Sequence, residues 1–475
     1  MASALWCLFC LTTSLAAETH EKPAPDKAAS HARARPVARW TVMVFMNGDN
    51  DLEEYLIADF LEMTKVSNSN LVNIVVQLDR LNGAGDYGNW TDTRRFKIKK
   101  DLKPFPESAL EGYREEADMG DPKTLKEFVR WARAAYPARH YMLIIGDHGD
   151  GWRFIHSAEL LKSSSRVIAA RQADLFAAAL QMGLPESRAE ELPHLPYDKS
   201  SDAPYRSISR DETNKNRLFM REVQDALEEV FTSGEKLDIL GFDSCLMEMV
   251  ENGFALRHVA KVMVGSEELE PGSGWQYDDW LQQLVQNPSM DAETLAGLLV
   301  RSYEKTYTLN PTPKLDTTLS AVNLSRGEMD ALAQSISALS EELIVSLGHA
   351  ELRNIQKARD NCTPFDPGSA YHGIDLYRFC EQLAQMTKRR PLRLRAESVM
   401  RILRRNTIAR YAASGRQGRF GSHGIAIYFP ASGELFRYDP FHDAYIEGSA
   451  AEYPVDFVQR HRWDNFLQEY YKLVR

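Results

Sequence analysis

LDILGFDSCLMEM, residues 237–249, is the stretch around which the rest of the chain is read. Its apolar run Leu237, Ile239, Leu240 and Phe242 stops at Asp243-Ser244-Cys245, and Leu246, Met249, Val250 and Phe254 then recur at helical spacing. The pattern predicts a strand, a sharp polar turn and a helix. A thiol in that turn lies near a helix N-terminus, where the macrodipole favours thiolate over thiol. Taken alone, Cys245 reads first as a buried core cysteine, because free cysteine is among the most buried residue types.

Working outward, Trp40–Met46 (WTVMVFM), Val72–Leu78, Tyr141–Ile145 (YMLII) and Lys261–Gly265 read as further buried strands. Helical patterns separate them, at Leu52–Met63, at Asp121–Tyr136 with Pro122 in its first position, and at Asp211–Phe231. Alternating strands and helices predict an α/β fold: a doubly wound, mostly parallel sheet with helices on both faces. Ligands of such sheets collect beyond the carboxyl ends of the strands. YMLII leads into Gly146-Asp147-His148-Gly149-Asp150-Gly151-Trp152. If that strand and LDILGF are parallel neighbours, His148 and Cys245 share one edge, where the imidazole can act as base and later protonate a leaving amine. Gly149 and Gly151 let backbone approach a substrate, and the Gly149 N–H is the candidate oxyanion donor. His423 and His140 precede their strands, so the edge rule sends both to the opposite side.

At 475 residues the chain is expected to form two or three lobes. With 44% apolar and 26% charged residues it has the balance of a folded soluble protein. A net charge of -10, spread along the chain, argues against nucleic acid as a partner and mildly for cationic substrates. Residues 1–17 carry an apolar run and a Ser14-Leu15-Ala16-Ala17 cleavage pattern, though no positive n-region; they predict a signal peptide and a secreted or periplasmic protein. Cleavage would remove Cys7 and Cys10 and leave Cys245, Cys362 and Cys380, so one thiol stays free even if the other two pair. No later run is long enough for a membrane span. The expected organisation is a linker at 18–39, a core at 40–325 with a mobile segment at about 153–206, and a helical C-terminal region at 326–475. Within that last region 391–412 reads as helix and 424–430 as a late core strand.

The stretches MVFMNGDNDLEEY, YMLIIGDHGDGW, RDETNKNRLFMREVQDAL, LDILGFDSCLMEM and HGIAIYFP, in that order, resemble the clostripain family of cysteine peptidases, whose fold is caspase-like. The resemblance spans about Trp40 to Pro430. It implies an endopeptidase that cuts peptide bonds after Arg or Lys with a Cys/His dyad, here Cys245 as nucleophile and His148 as partner. Asp243 matches the family's acidic group in the pocket for the basic side chain; by itself it reads as a turn or capping aspartate. The implied partners are peptides or proteins with Arg or Lys at the cleaved bond. The family also implies a zymogen cleaved between the His and Cys blocks, with Lys162, Arg166, Arg171, Arg188, Lys199 and Arg206 as candidate sites. The alternative is a non-catalytic binding protein on the same scaffold; a third reading is a metal-dependent hydrolase built on Asp49, Asp51 and His148.

No cofactor is required by the dyad reading. Calcium is weakly supported by the Asp and Asn oxygens of Asn47–Glu54 and by the response of some family members to calcium. That segment lacks the complete loop with a glutamate at its twelfth position, and capping of the next helix by Asp49 or Asp51 explains it without an ion. Cys362 and Cys380 have no partners at zinc-ligand spacing, so no bound metal is expected.

Overall fold

The first strand, β1 (Ala38–Gly48), is buried along nearly its whole length, and alternation splits its side chains between two cores. Met43 and Phe45 enter one, Val42, Val44 and Met46 the other. The remaining elements follow in order: α1 (Glu53–Met63), β2 (Val72–Arg80), β3 (Thr93–Lys97), β4 (Arg114–Glu115), α2 (Pro122–Ala135) and β5 (Ala138–Gly146). After these come β6 (Ile208–Asp211), β7 (Asn216–Leu218), α3 (Met220–Glu228), β8 (Leu237–Asp243), α4 (Val250–Leu256) and β9 (Ala260–Gly265). The second half holds α5 (Tyr277–Gln286), α6 (Ala292–Leu309), β10 (Thr317–Asn323), α7 (Glu328–Leu347), α8 (Leu352–Asp360) and β11 (Gly373–Asp375). It ends with α9 (Leu376–Met386), α10 (Arg390–Asn406), β12 (Thr407–Ala413), β13 (Ala426–Tyr428), α11 (Gly433–Arg437) and α12 (Trp463–Leu473).

This computed structural model describes residues 37–81, 83, 87–152, 208–232, 234–309, 316–325, 327–348, 351–365, 373–413, 421–437, 439, 441–451 and 453–474. The expected signal peptide, nearly all of the linker, the 153–206 segment and its candidate cleavage sites lie outside them.

Nine strands form one sheet in the order β12-β10-β9-β8-β5-β1-β2-β3-β4. The five central strands, β9 to β2, are parallel, and the pairs at either flank are antiparallel. Order reverses beside β1, since β2 lies on one side of it and β5, β8 and β9 on the other, so the crevice beyond β1 and β5 is a topological switch point. One face is covered by α1, α5 and α6 through residues such as Phe60, Trp280 and Leu299; α2, α3, α4, α7, α9, α10 and α12 contribute to the opposite core. The fold is α/β, a mostly parallel sheet with helices on both faces, as the strand pattern predicts. Among the described residues, no helix is long and apolar enough to cross a membrane.

Three local expectations are corrected. Residues 211–218 are not helix: Asp211 Oδ1 accepts from the Asn214 N–H at 2.7 Å, and Lys215 takes φ 53°, a turn that closes the β6–β7 hairpin before α3 begins at Met220. The helix expected over 391–412 ends at Asn406, where β-branched Thr407 and Ile408 begin an edge strand paired antiparallel with β10. The late strand forms at Ala426–Tyr428, but it pairs with β11 in a separate two-stranded sheet.

Candidate active site

β5 and β8 are parallel neighbours with Gly146 opposite Asp243, so the residues that follow each strand emerge side by side at the carboxyl edge. Asp147-His148 and Ser244-Cys245 are thereby brought together, and both His148 and Cys245 line one cleft of about 320 Å³. His148 Nε2 lies 2.8 Å from Asp51 Oδ1, at the end of the loop that follows β1. Cys245 is half-buried, and its Sγ accepts the Glu270 N–H at 3.3 Å, a contact that favours thiolate. Leu246, next in sequence, adopts φ 64° while buried, the kind of backbone strain that clusters at functional turns. Gly149 packs directly on this turn: a Cβ there would stand 2.2 Å from the Cys245 carbonyl oxygen. Only glycine fits that approach.

Behind the thiol the cleft is acidic. Asp243 Oδ2 accepts from the Tyr277 hydroxyl at 2.9 Å and from the Trp275 N–H at 3.4 Å. Glu270 accepts from Trp275 Nε1 at 3.4 Å through Oε1, and its Oε2 is enclosed with no N–H or hydroxyl donor. Asp59, buried on α1, completes the set. Burial pushes Asp243 above its usual range; burial and then the Asp243 charge push Asp59 and Glu270 well above theirs. Gly274, at φ 46°, leaves the space over Asp243 open, since a Cβ would come within 2.8 Å of Oδ1. Three carboxylates thus line one cavity, and among the described residues none of them has an ion-pair partner, a costly arrangement for buried acids.

The sequence profile of the clostripain family matches residues 44–172 and 196–470. The chain belongs to the clostripain family. It is 24% identical to clostripain of Hathewaya histolytica over 454 residues, covering 82% of this chain and 74% of that one. A secreted C11 cysteine protease from Bacteroides thetaiotaomicron, solved with an irreversible peptide inhibitor, shares the fold at TM-score 0.56 and 16% identity, over 91% of this chain and 99% of its own. An inactive zymogen C11 protease from Parabacteroides distasonis matches at TM-score 0.54 and 16% identity, over 86% and 96%. This clostripain-family chain is therefore a cysteine peptidase, a hydrolase acting on peptide bonds.

Within this clostripain-family fold the rival candidates are accounted for structurally. His140 faces Asp238 at 3.2 Å near the amino ends of β5 and β8. His423 pairs with Asp375 at 3.1 Å and stacks on Tyr377 with ring centroids 4.5 Å apart. Neither lines the cleft. Cys362 and Cys380 are free but buried; burial pushes Cys362 up to about 12 and Cys380 well above its usual value. The helix expected directly after Cys245 does not start there. It begins at Val250, so the Glu270 N–H, and not a helix end, meets the sulfur.

The acidic loop is corrected as well. Neither Asp49 nor Asp51 caps α1; Asn50 Oδ1 takes the Leu52 N–H at 2.8 Å, and α1 has no side-chain cap at its first position. Sequence reasoning missed Asp51 as the partner of His148, and it missed Asp59, Glu270 and Tyr277. Glu270 was within reach of the edge rule, because it follows the fifth strand, β9, on the same side as Cys245.

Proposed function

We propose that this chain is an endopeptidase cleaving after Arg or Lys, with Cys245 as nucleophile, His148 as its acid and base, and Asp243, aided by Glu270, receiving the basic side chain. The observation that carries this reading is the convergence of buried Asp59 and Asp243 and part-buried Glu270 on the cleft that also holds Cys245 and His148. Ionising these acids without a counter-charge is costly, and a desolvated guanidinium or ammonium offsets that cost where a neutral side chain cannot.

In this mechanism Cys245 gives its proton to His148 and the thiolate attacks the scissile carbonyl carbon. Negative charge builds on the carbonyl oxygen, for which the Gly149 N–H is the proposed donor, since Gly149 packs on the Cys245 backbone. His148, steadied by Asp51, then protonates the leaving amine as the tetrahedral intermediate collapses to a thioester. Water, deprotonated by His148, hydrolyses the thioester and regenerates the thiol. The steps use only the thiol, the imidazole and backbone donors.

The same reading has the protein made as an exported zymogen and cut between the His and Cys blocks after a basic residue. The solved relatives described as secreted and as a zymogen support it.

The test is hydrolysis of short peptide amides ending in Arg, Lys or Asp, beside mass spectrometry of wild type and Cys245→Ala. Cleavage of the basic amides only, abolished in Cys245→Ala, with two fragments in the wild type alone, is expected. Preference for the Asp amide, or activity that survives Cys245→Ala, would sink the proposal.

A further inference from the structure

Away from the cleft, α10 carries a charge pattern that its packing does not use. Its sequence, RPLRLRAESVMRILRRN, holds six arginines against one glutamate, in a chain whose net charge is -10. Leu392, Ala396, Val399, Met400 and Leu403 are buried in the core. Contacts of Arg389 with Glu342, Ser398 with Ser335 and Arg405 with Glu328 lay the helix antiparallel along α7. Helical periodicity puts Arg390, Arg393, Arg401, Arg404 and Arg405 on the opposite side, in one stripe about 120° wide and about 20 Å long. All five are exposed; Leu394, 50% exposed, sits among them, and Glu397 is the one acid of the stripe.

The fold neutralises little of this charge. Arg405 pairs with Glu328, but Arg404 donates to the Tyr377 hydroxyl and Arg393 to the Thr387 carbonyl, both neutral acceptors. Among the described residues, the Arg390 and Arg401 side chains have no hydrogen-bond or ion-pair partner. Arg401 also stands three and four residues before Arg404 and Arg405, spacings at which like charges destabilise a helix.

We propose that this stripe docks the protein on a bilayer surface rich in anionic phospholipid headgroups. A helix that lies flat with basic side chains and an apolar residue on its outer face matches the charge of such a surface and the acyl boundary beneath it. Nucleic acid fits less well. The inner side of α10 is committed to the core, so the helix cannot enter a groove, and a phosphate backbone offers Leu394 nothing to pack on. The negative charge elsewhere on the chain is screened beyond about 8 Å at physiological salt, so the stripe governs close approach. The cleft opens at the carboxyl edge of the sheet whereas α10 covers a face, and docking therefore leaves Cys245 open to peptides.

The experiment uses the full chain carrying Cys245→Ala and measures co-sedimentation with phosphatidylcholine vesicles that contain or lack about 30% phosphatidylglycerol. At about 0.1 M salt, binding to the anionic vesicles is expected to be at least about tenfold tighter than to the neutral ones, and to be lost at about 0.5 M salt. Arg390→Gln and Arg401→Gln together should weaken it about 25-fold, roughly fivefold for each arginine. Tm should not fall, since both side chains are exposed and glutamine is a good helix former. Lys99→Gln with Lys100→Gln makes the same change of charge at exposed positions beyond β3 and should leave binding within about twofold. Leu394→Gln should weaken vesicle binding by about threefold or more.

No binding, equal binding to neutral vesicles, or an equal loss in the lysine control would overturn the proposal. So would undiminished binding of Leu394→Gln, or complete displacement from the vesicles by a short DNA duplex supplying the same phosphate concentration; either would make the stripe a site for a soluble polyanion. Because binding is read without substrate, its failure is distinct from failure of the peptidase reading.

Discussion

Asp51 Oδ1 stands 2.8 Å from His148 Nε2, joining the loop after β1 to the loop after β5 across the switch point of the sheet. Burial acts to raise the Asp51 carboxyl, but the hydrogen bond and charge of His148 outweigh it and hold the group below its usual value. The pair thus favours an imidazolium, the form that accompanies a thiolate. A buried orienting carboxylate is worth up to about 10⁴ in rate, yet the Asp51 side chain is 72% exposed and water screens it. Asp51→Ala is therefore expected to lower kcat by about tenfold with KM little changed. Steady-state kinetics on an Arg amide check this, and an unchanged kcat would contradict it.

Gly149 admits no side chain. The Cys245 carbonyl oxygen would meet an added Cβ at 2.2 Å and the Ser244 Cβ at 2.9 Å. One of the two turns must shift, at a cost of about 1–3 kcal/mol, and a displacement on the order of 1 Å at a reacting centre costs about 100-fold. Gly149→Ala is expected to stay folded, melt lower than wild type and lose at least that factor in kcat/KM. Full activity would show that the turn adjusts freely.

Asp243 and Cys245 are separated by one residue, and the different tasks proposed for them can be read apart. Removing one partner of a desolvated ion pair costs about 2–5 kcal/mol, or roughly 30- to 4000-fold. Asp243→Ala should lose that much in kcat/KM for an Arg amide, while iodoacetamide alkylates Cys245 within about threefold of the wild-type rate. The buried Cys362 and Cys380 should stay unlabelled in the native protein and react after denaturation. Equal losses in cleavage and alkylation would assign Asp243 to the thiol instead of to the substrate.

The parts that the sequence makes legible are those in which a short run carries its own periodicity. Trp40–Met46, Tyr141–Ile145 and Leu237–Phe242 are predominantly apolar runs because both faces of each strand are covered, and the edge rule then brings His148 and Cys245 to one edge. Asp51 and Glu270 are a different case. The edge rule puts both at the carboxyl edge, but which loops meet across the sheet decides what each touches, and nothing in the spacing 51 to 148 or 245 to 270 encodes that. Local side-chain chemistry also overrode periodicity at 211–214, where an aspartate turn displaced a helical pattern. At 407–413 pairing with β10 did the same, as tertiary context commonly overrides weak helical preference.

The Asp243–Glu270 contact predicts a proton coupled to substrate binding. The two carboxyls are close enough to hydrogen-bond to each other, which requires a proton on one of them. In the empty cleft burial raises both, and the Asp243 charge raises Glu270 further, so both effects favour keeping that proton. A guanidinium seated between them favours the ionised forms and expels it. The pair's pKa is thus high in the free protein and lower in the complex. Affinity should then rise by about tenfold per pH unit through the window between those two values and level off above the free value and below that of the complex. Calorimetry of benzamidine binding to Cys245→Ala at pH 7, in phosphate and in Tris, should give enthalpies that differ by the buffers' ionisation heats in the direction of proton release. Glu270→Gln should abolish both that difference and the pH slope. Identical enthalpies in the two buffers, or tighter binding as pH falls, would refute a shared proton in the pocket.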